Sequence, residues 1–295
     1  MDSDHEAYIL LLLSDSNLPT GAFVASAGLE SYVAHGFFTD LSSPSDAPPP
    51  DKMDYTTSFL RDNLSTYAHS ALPFVLDAHL VVVEALEESE ASAEAMADRA
   101  VERLRELDEL YETMTLNHVA RRASKSQGVA LLTLFSKGFS KPRLFRQLQP
   151  AEPSRVSERE ARATILVDRL KLLVRREETH GHLPICWGLL TAALELSSER
   201  SQYLHLFLQA RSVLSASVRL NIIGPYAAQQ LLLHAVRPLV EDEMSRCKHL
   251  TTGLRATKEH AAPEDDALHG PAMTWPLGEI LAARHDLQHS RIFNS

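Results

Sequence analysis

The chain has 295 residues, 44% of them hydrophobic, and a formal net charge of −10. That is enough apolar material for one large core or two small ones, and too acidic a balance to offer the basic footprint that DNA or RNA binding requires. Its two cysteines, Cys186 and Cys247, lie far apart without a Cys-x-x-Cys pair, which excludes a zinc site built from thiolates, provides no disulfide framework and fits a reducing cytoplasmic setting.

The start, MDSDHEAYILLLLSDS, is acidic and its apolar run is short, whereas a signal peptide needs a basic flank and a longer apolar region. No stretch reads as the roughly twenty apolar residues of a membrane span. Ser14, Asp15, Ser16, Pro19, Thr20 and Gly21 form a turn that stops the first apolar run. Thr20 is placed to cap an apolar helix after it. Ala25, Ser26, Ala27 and Gly28 leave so little side-chain bulk that another helix can approach over that face. A nucleophile here would need a general base and an oxyanion hole, typically on a sharp Gly-x-Ser-x-Gly turn, and neither is suggested. The segment reads as architecture.

Beyond it the dominant period is helical. Residues 55–86 form one long helical pattern in which Pro73 marks either a kink or the first turn of a new helix. Val81 to Val83, strand-like in isolation, lies inside it. The acidic run from Glu84 to Glu109 is most simply the solvated side of helices, with an acidic docking face as the alternative. In VERLRELDELYETMTLNHVARRA, Val101, Leu104, Leu107, Tyr111, Met114 and His118 make one apolar stripe. ASKSQG (123–128) has a single glycine and no preceding strand, so it predicts a helix end with Gly128 in the turn. No phosphate-cradling Gly-rich motif occurs elsewhere. Residues 198–220 and 224–244 predict further helices, the second opening on Pro225. Segments 42–52, 141–160 and 257–273 are Pro-rich or charged, carry no apolar face and read as surface loops. No sustained two-residue alternation and no Asn-Gly or Asp-Gly hairpin appears. The expected class is all-α, a single-domain multi-helix bundle.

Among the 14 histidines, EETHGH brings Glu177, Glu178, His180 and His182 together, and imidazole with carboxylate suits nickel, zinc or iron. The spacing matches no His-Glu-x-x-His, and Gly181 with Pro184 implies a helix break. His180 and His182 are more simply read as capping a helix C-terminus. His69, His79, His118 and His205 fall within helices at unrelated positions, as core or surface residues. The residues yield neither a catalytic constellation nor a committed metal site.

LLLSDSNLPTGAFVASAGLESYVAHG resembles the N-terminal signature of the UreF family of urease accessory proteins, through Ser14, Asp15, Ser16, Pro19, Thr20, Gly21, Gly28 and Glu30 among others. Further patches are similar to the family in the expected order: ARRASKSQG through Arg122, Ser124, Gln127 and Gly128; HLPICWG through His182, Pro184 and Gly188; SVRLNIIGPYAAQQLL through Arg219, Leu220 and Gly224; and the terminus HDLQHSRIFNS. The insertions resemble those of a eukaryotic, fungal-type member. Bacterial members commonly carry His or Tyr at the position of Ala25 and Gly at that of Ala27. The resemblance implies a non-catalytic, dimeric helical scaffold in the cytoplasm, without a tightly bound cofactor. It binds a UreD/UreH-type accessory protein and a UreG-type GTPase, and the complex delivers nickel to apo-urease. Residues 285–295 are then expected to be a flexible tail that docks on a partner through His285, Arg291, Ile292, Phe293 and Ser295. Arg122, Gln127 and Arg219 are expected at the GTPase or along a polar passage for the ion, with arginines buried against acids as the plain alternative. Three competing readings remain: direct nickel binding at Glu177–His182, activation of the GTPase, and an all-α enzyme with an unfamiliar site.

Overall fold

The structure, a computed structural model, describes residues 3–38, 51–88, 92–140, 155–255 and 270–295. Among these the regular structure is helical throughout, without a strand, as the sequence period predicts. The helices are α1 (Ser3–Leu13), α2 (Leu29–Ala34), α3 (Lys52–Glu87), α4 (Ala93–Met114), α5 (His118–Leu134), α6 (Arg155–Arg175), α7 (Leu183–Ala193), α8 (Ser198–Arg219), α9 (Pro225–Leu231), α10 (Arg237–Cys247) and α11 (Pro276–Ala283).

Helix α3 is the axis of the molecule. Asp51 starts it with a reciprocal cap, accepting from the Met53 and Asp54 amides while the Asp54 carboxylate accepts from the Asp51 amide, so orphan first-turn donors are satisfied. Pro73 lies inside this single 36-residue helix. Lacking an N–H, it leaves the carbonyl four residues back, that of His69, without its helical donor. The Ala272 amide supplies one at 3.2 Å. Contrary to the reading from run length, α3 is long and apolar enough to cross a bilayer, yet most of its apolar stretch is buried inside this molecule.

Two apolar clusters meet along α3. The C-terminal half, with Phe74, Val75 and Val82, packs among α1, α4, α5, α6 and α7. The N-terminal half, with Phe59, Leu60 and Leu64, packs among α2, α8, α9 and α10 and takes in Phe293 from the C-terminal end. Leu60, Leu64, Leu72 and Phe74 are fully buried, each contributing about 1.5–3 kcal/mol.

Three boundaries differ from the sequence reading. The stripe from Val101 to His118 is two helices, because α4 ends at Met114 and Asn117 caps α5 by accepting from the Val119 and Ala120 amides. The expected loop 141–160 ends early, since the chain is helical from Arg155; residues 141–154, 42–50 and 257–269 lie outside the described residues. Gly128 sits within α5, not at its end. A Cβ there would meet the Gly181 carbonyl oxygen at 2.0 Å, so its missing side chain serves close approach of a neighbouring loop.

Candidate functional site

The opening segment leaves α1 through local hydrogen bonds. Ser14 Oγ donates to the Leu11 carbonyl at 2.9 Å, and Asp15 Oδ1 accepts from the Asn17 amide at 2.9 Å, the Asx turn that stops the apolar run. Ser16, Pro19 and Thr20 then line a cavity of about 530 Å³ beneath the loop. Thr20 does not cap a helix: Gly21, at φ 75°, precedes a single 3₁₀ turn over Ala22–Val24. The expected apolar helix begins only at α2, because Ala27 (φ 53°) and Gly28 (φ 84°) take left-handed backbone that a continuous helix excludes. At Gly28 a Cβ would lie 3.0 Å from the Ala282 Cβ. The small-residue face does receive a helix, and it is α11.

Just after α11 the chain turns back onto this segment. The Ser26 amide donates to the Ser295 carbonyl at 2.6 Å, and the Asn294 amide donates to the Val24 carbonyl at 2.9 Å. Beside these two contacts, in the first turn of α2, stands Glu30, a buried carboxylate. It accepts from the Ile292 amide at 2.5 Å, the Phe293 amide at 3.1 Å and His285 Nε2 at 2.9 Å. Three donors on one carboxylate make a strong latch. Phe293 is 2% exposed, seated in the second apolar cluster.

Arginines close the latch from outside. Arg122 on α5 forks onto Asp286 at 2.7 and 2.8 Å and also donates to the Asn294 carbonyl at 2.8 Å. Arg291 reaches the same carboxylate at 2.7 Å. Hydrogen bonds from Arg122 hold the Asp286 carboxyl well below the usual carboxylate range. The Arg219 guanidinium from α8 lies 3.9 Å from the Phe23 ring centroid and 4.2 Å from that of Phe293, a cation held between two aromatic faces. It donates as well to the Phe23 carbonyl. The expected flexible tail is therefore a packed element here, because Phe293 has an apolar seat and the backbone of residues 292–295 has fixed partners. Arg122 and Arg219, expected at a partner or along a passage, bind the chain's own terminus. Gln127 stands apart from the latch. It lines both the larger cavity and a smaller one of about 150 Å³ that also touches Ser295.

The EETHGH segment has a different task. Asp108 on α4 accepts from Thr179 Oγ1 at 2.6 Å and from the amides of His180, Gly181 and His182 at 2.7, 2.8 and 2.9 Å. His182, wholly buried, meets Glu112 Oε2 at 2.7 Å through Nε2 and Ser124 Oγ at 3.1 Å through Nδ1. Burial holds the His182 imidazole below its usual range against the pull of Asp108 and Glu112. Partial burial raises the Glu112 carboxyl, but hydrogen bonds from Lys125 and His182 outweigh it and bring it to about 2. His180 Nε2 lies 3.1 Å from Glu109. Both imidazoles are thus engaged by carboxylates in a knot joining α4, α5 and the 179–182 loop. Asp108 and Asp286 escaped the sequence reading. Asp108 is one acid in an acidic run, and nothing local marks it as the acceptor of a loop some seventy residues on.

The patches that run in order along the chain therefore meet in space, in one latch and one knot. A UreF family model matches residues 53–236. Urease accessory protein 6 of Cryptococcus neoformans var. grubii is 42% identical over 99% of this chain and 98% of its own length. An uncharacterized UreF-like urease accessory protein of Schizosaccharomyces pombe is 27% identical over the full chain and 99% of its own length. Urease accessory protein F of Oryza sativa subsp. indica is 28% identical over 99% of this chain and 86% of its own length. With the matched helices, the signature loop and the terminus all accounted for in one helical fold, the chain belongs to the UreF family of urease accessory proteins.

Proposed function

We propose that this chain is a non-catalytic scaffold, acting as a homodimer in the cytoplasm, that joins a UreD/UreH-type protein to a UreG-type GTPase for nickel insertion into apo-urease. One observation carries the reading. Glu30, Arg122 and Arg219 converge on holding residues 285–295 in one conformation, where a catalytic site would gather its residues around a reacting group. The latched terminus leaves Leu287 and Ile292 outward, 74% and 63% exposed. Apolar side chains on a pre-ordered backbone bind with little further ordering cost. To couple nucleotide state to nickel transfer, the scaffold must favour one nucleotide form of the GTPase over the other, since equal affinity shifts nothing.

Co-expression with the UreD/UreH-type and UreG-type proteins, followed by size-exclusion chromatography, tests this. The wild-type chain co-elutes with both. The double variant Leu287→Asp/Ile292→Asp keeps Phe293 and the latch, and loses the UreD/UreH-type partner at unchanged circular dichroism. Co-elution undiminished in the variant removes the terminus as the docking surface; no complex with the wild-type chain removes the scaffold. Removing residues 285–295 outright is a poorer test, because it uncovers the seat of Phe293. Direct nickel holding by His180 and His182 is disfavoured by their engagement with Glu109 and Glu112. Activation of the GTPase by Arg122 or Arg219 requires undoing the latch, and GTP turnover with and without this chain separates activation from scaffolding.

A further inference from the structure

Helices α3 and α10 pack so that His69 of the first faces Glu243 and Cys247 of the second, the latter two one turn apart on the same face. One donor atom from each residue lies within 4.8 Å of the other two. Cys247 Sγ is 3.4 Å from His69 Nδ1 and 3.6 Å from Nε2, and Glu243 Oε2 is 4.0 Å from Nδ1. His69 Nδ1 donates to the Ser65 carbonyl at 2.8 Å. That bond fixes the tautomer and leaves Nε2 as the nitrogen with a free lone pair, the arrangement that metal-binding imidazoles adopt. Glu243 is 4% exposed, its Oε1 meets Arg246 at 3.4 Å, and its Oε2 has no hydrogen-bond partner. A buried carboxylate oxygen without a donor is costly, and this one points into the cluster.

We propose that His69, Glu243 and Cys247 form a binding site for a divalent cation of the zinc class. Thiolate and imidazole donors select zinc, cobalt or nickel over the oxygen-seeking magnesium and calcium. Bond lengths of about 2.0–2.3 Å in a tetrahedron separate donors by about 3.3–3.8 Å. The sulfur–nitrogen spacing already matches, and the wider spacings close by about 1 Å through side-chain rotation of Glu243. The fourth position faces solvent past His69, whose side chain is 27% exposed. On binding, the Cys247 thiol gives its proton to solvent and the thiolate sulfur bonds the cation. The ion clamps α3 to α10 at the level where the Ala272 amide meets the His69 carbonyl. Neither the latch nor any partner protein enters the argument, so the site stands or falls apart from the scaffold reading.

The test uses the full-length chain alone, stripped with a chelator and titrated with cobalt(II), then with zinc(II). One cobalt per chain is expected, with a near-ultraviolet thiolate-to-cobalt band and the visible absorption of tetrahedral cobalt, both abolished by zinc. Cys247→Ser loses the near-ultraviolet band. His69→Gln, at a partly exposed position, weakens binding about 100-fold or more while the circular dichroism of the metal-free chain is unchanged; it decides the matter alone if Cys247→Ser fails to fold. His180→Gln changes nothing. Absence of stoichiometric binding, binding that survives His69→Gln, or binding that follows His180 overturns the site.

Discussion

Glu30 and Asp108 are buried carboxylates using the same device in two regions, each collecting backbone amides from a distant segment. Around Asp108 the loop it holds is gripped a second time, by Gly128 pressed against the Gly181 carbonyl and by His182 between Glu112 and Ser124. Around Glu30 the held segment is the chain's last turn, with solvent on one side and a single apolar anchor, Phe293, on the other. The knot cannot open without disturbing the first apolar cluster; opening the latch draws one residue, Phe293, out of the second. The same kind of hydrogen bonding thus gives unequal local stability, because local stability depends on what else must move.

The comparison breaks most readily at the knot. Asp108→Ala leaves four donors without their acceptor and costs about 4 kcal/mol of global stability, read by urea denaturation. If the loss stays local to residues 179–182, the knot is no more than a second latch. Gly128→Ala drives a methyl group into a backbone oxygen and costs about 3 kcal/mol, by the same measurement; an unchanged midpoint denies the close approach. Glu30→Gln presents one amide oxygen where three donors converge. It should loosen the terminus by about 2 kcal/mol, hence about 30-fold faster amide exchange at Ile292 and Phe293, with the global midpoint nearly unchanged. A global loss matching that of Asp108→Ala would erase the distinction.

Acidification gives the smallest and most selective separation. Burial holds His182 below its ordinary value of 6.5, so the unfolded chain takes up that proton first. Stability of the knot is full above 6.5 and is lost as pH falls through the lower folded value. His205, fully buried and brought to about 3, adds to the same global loss. In the latch, hydrogen bonds from Arg122 hold Asp286 below its ordinary 3.8. That contribution is full above 3.8 and is lost only as pH falls through the lower folded value. Between pH 6.5 and 3.8, exchange at residues 180–183, corrected for intrinsic rates, should rise while exchange at Ile292 and Phe293 does not. Parallel rises in both places contradict the assignment.

Much of the helical framework was legible. The apolar period marked α3, α4, α8 and α9, and Pro225 marked the start of α9, because both signals are local to a few turns. The break at Asn117 was hidden because its neighbours Met114 and His118 keep the phase of the stripe on either side. Gly128 was misplaced at a helix end because a glycine that allows close approach looks, in sequence, like one that allows a turn; only the Gly181 carbonyl distinguishes them. Pro73 left two readings open, and the Ala272 amide, far along the chain, is what lets one helix run through it. The terminal motif was visible as a pattern, but its pairing with Glu30 was not. The exclusion of a thiolate zinc site considered cysteines with each other and so overlooked one cysteine beside a histidine 178 positions away.

By itself the amino-acid order determined the all-α class, the faces of the long helices, the Asx turn after α1 and the family, since these rest on spacings of a few residues or on patterns in linear sequence. Tertiary structure alone decided which buried polar groups meet: Glu30 with residues 285–293, Asp108 with residues 179–182, His69 with Glu243 and Cys247. Helical hydrogen bonds join residues four apart and therefore leave a periodic trace in the chain. A buried carboxylate is satisfied by whatever packing brings beside it, and here that donor lies as far as 263 residues away.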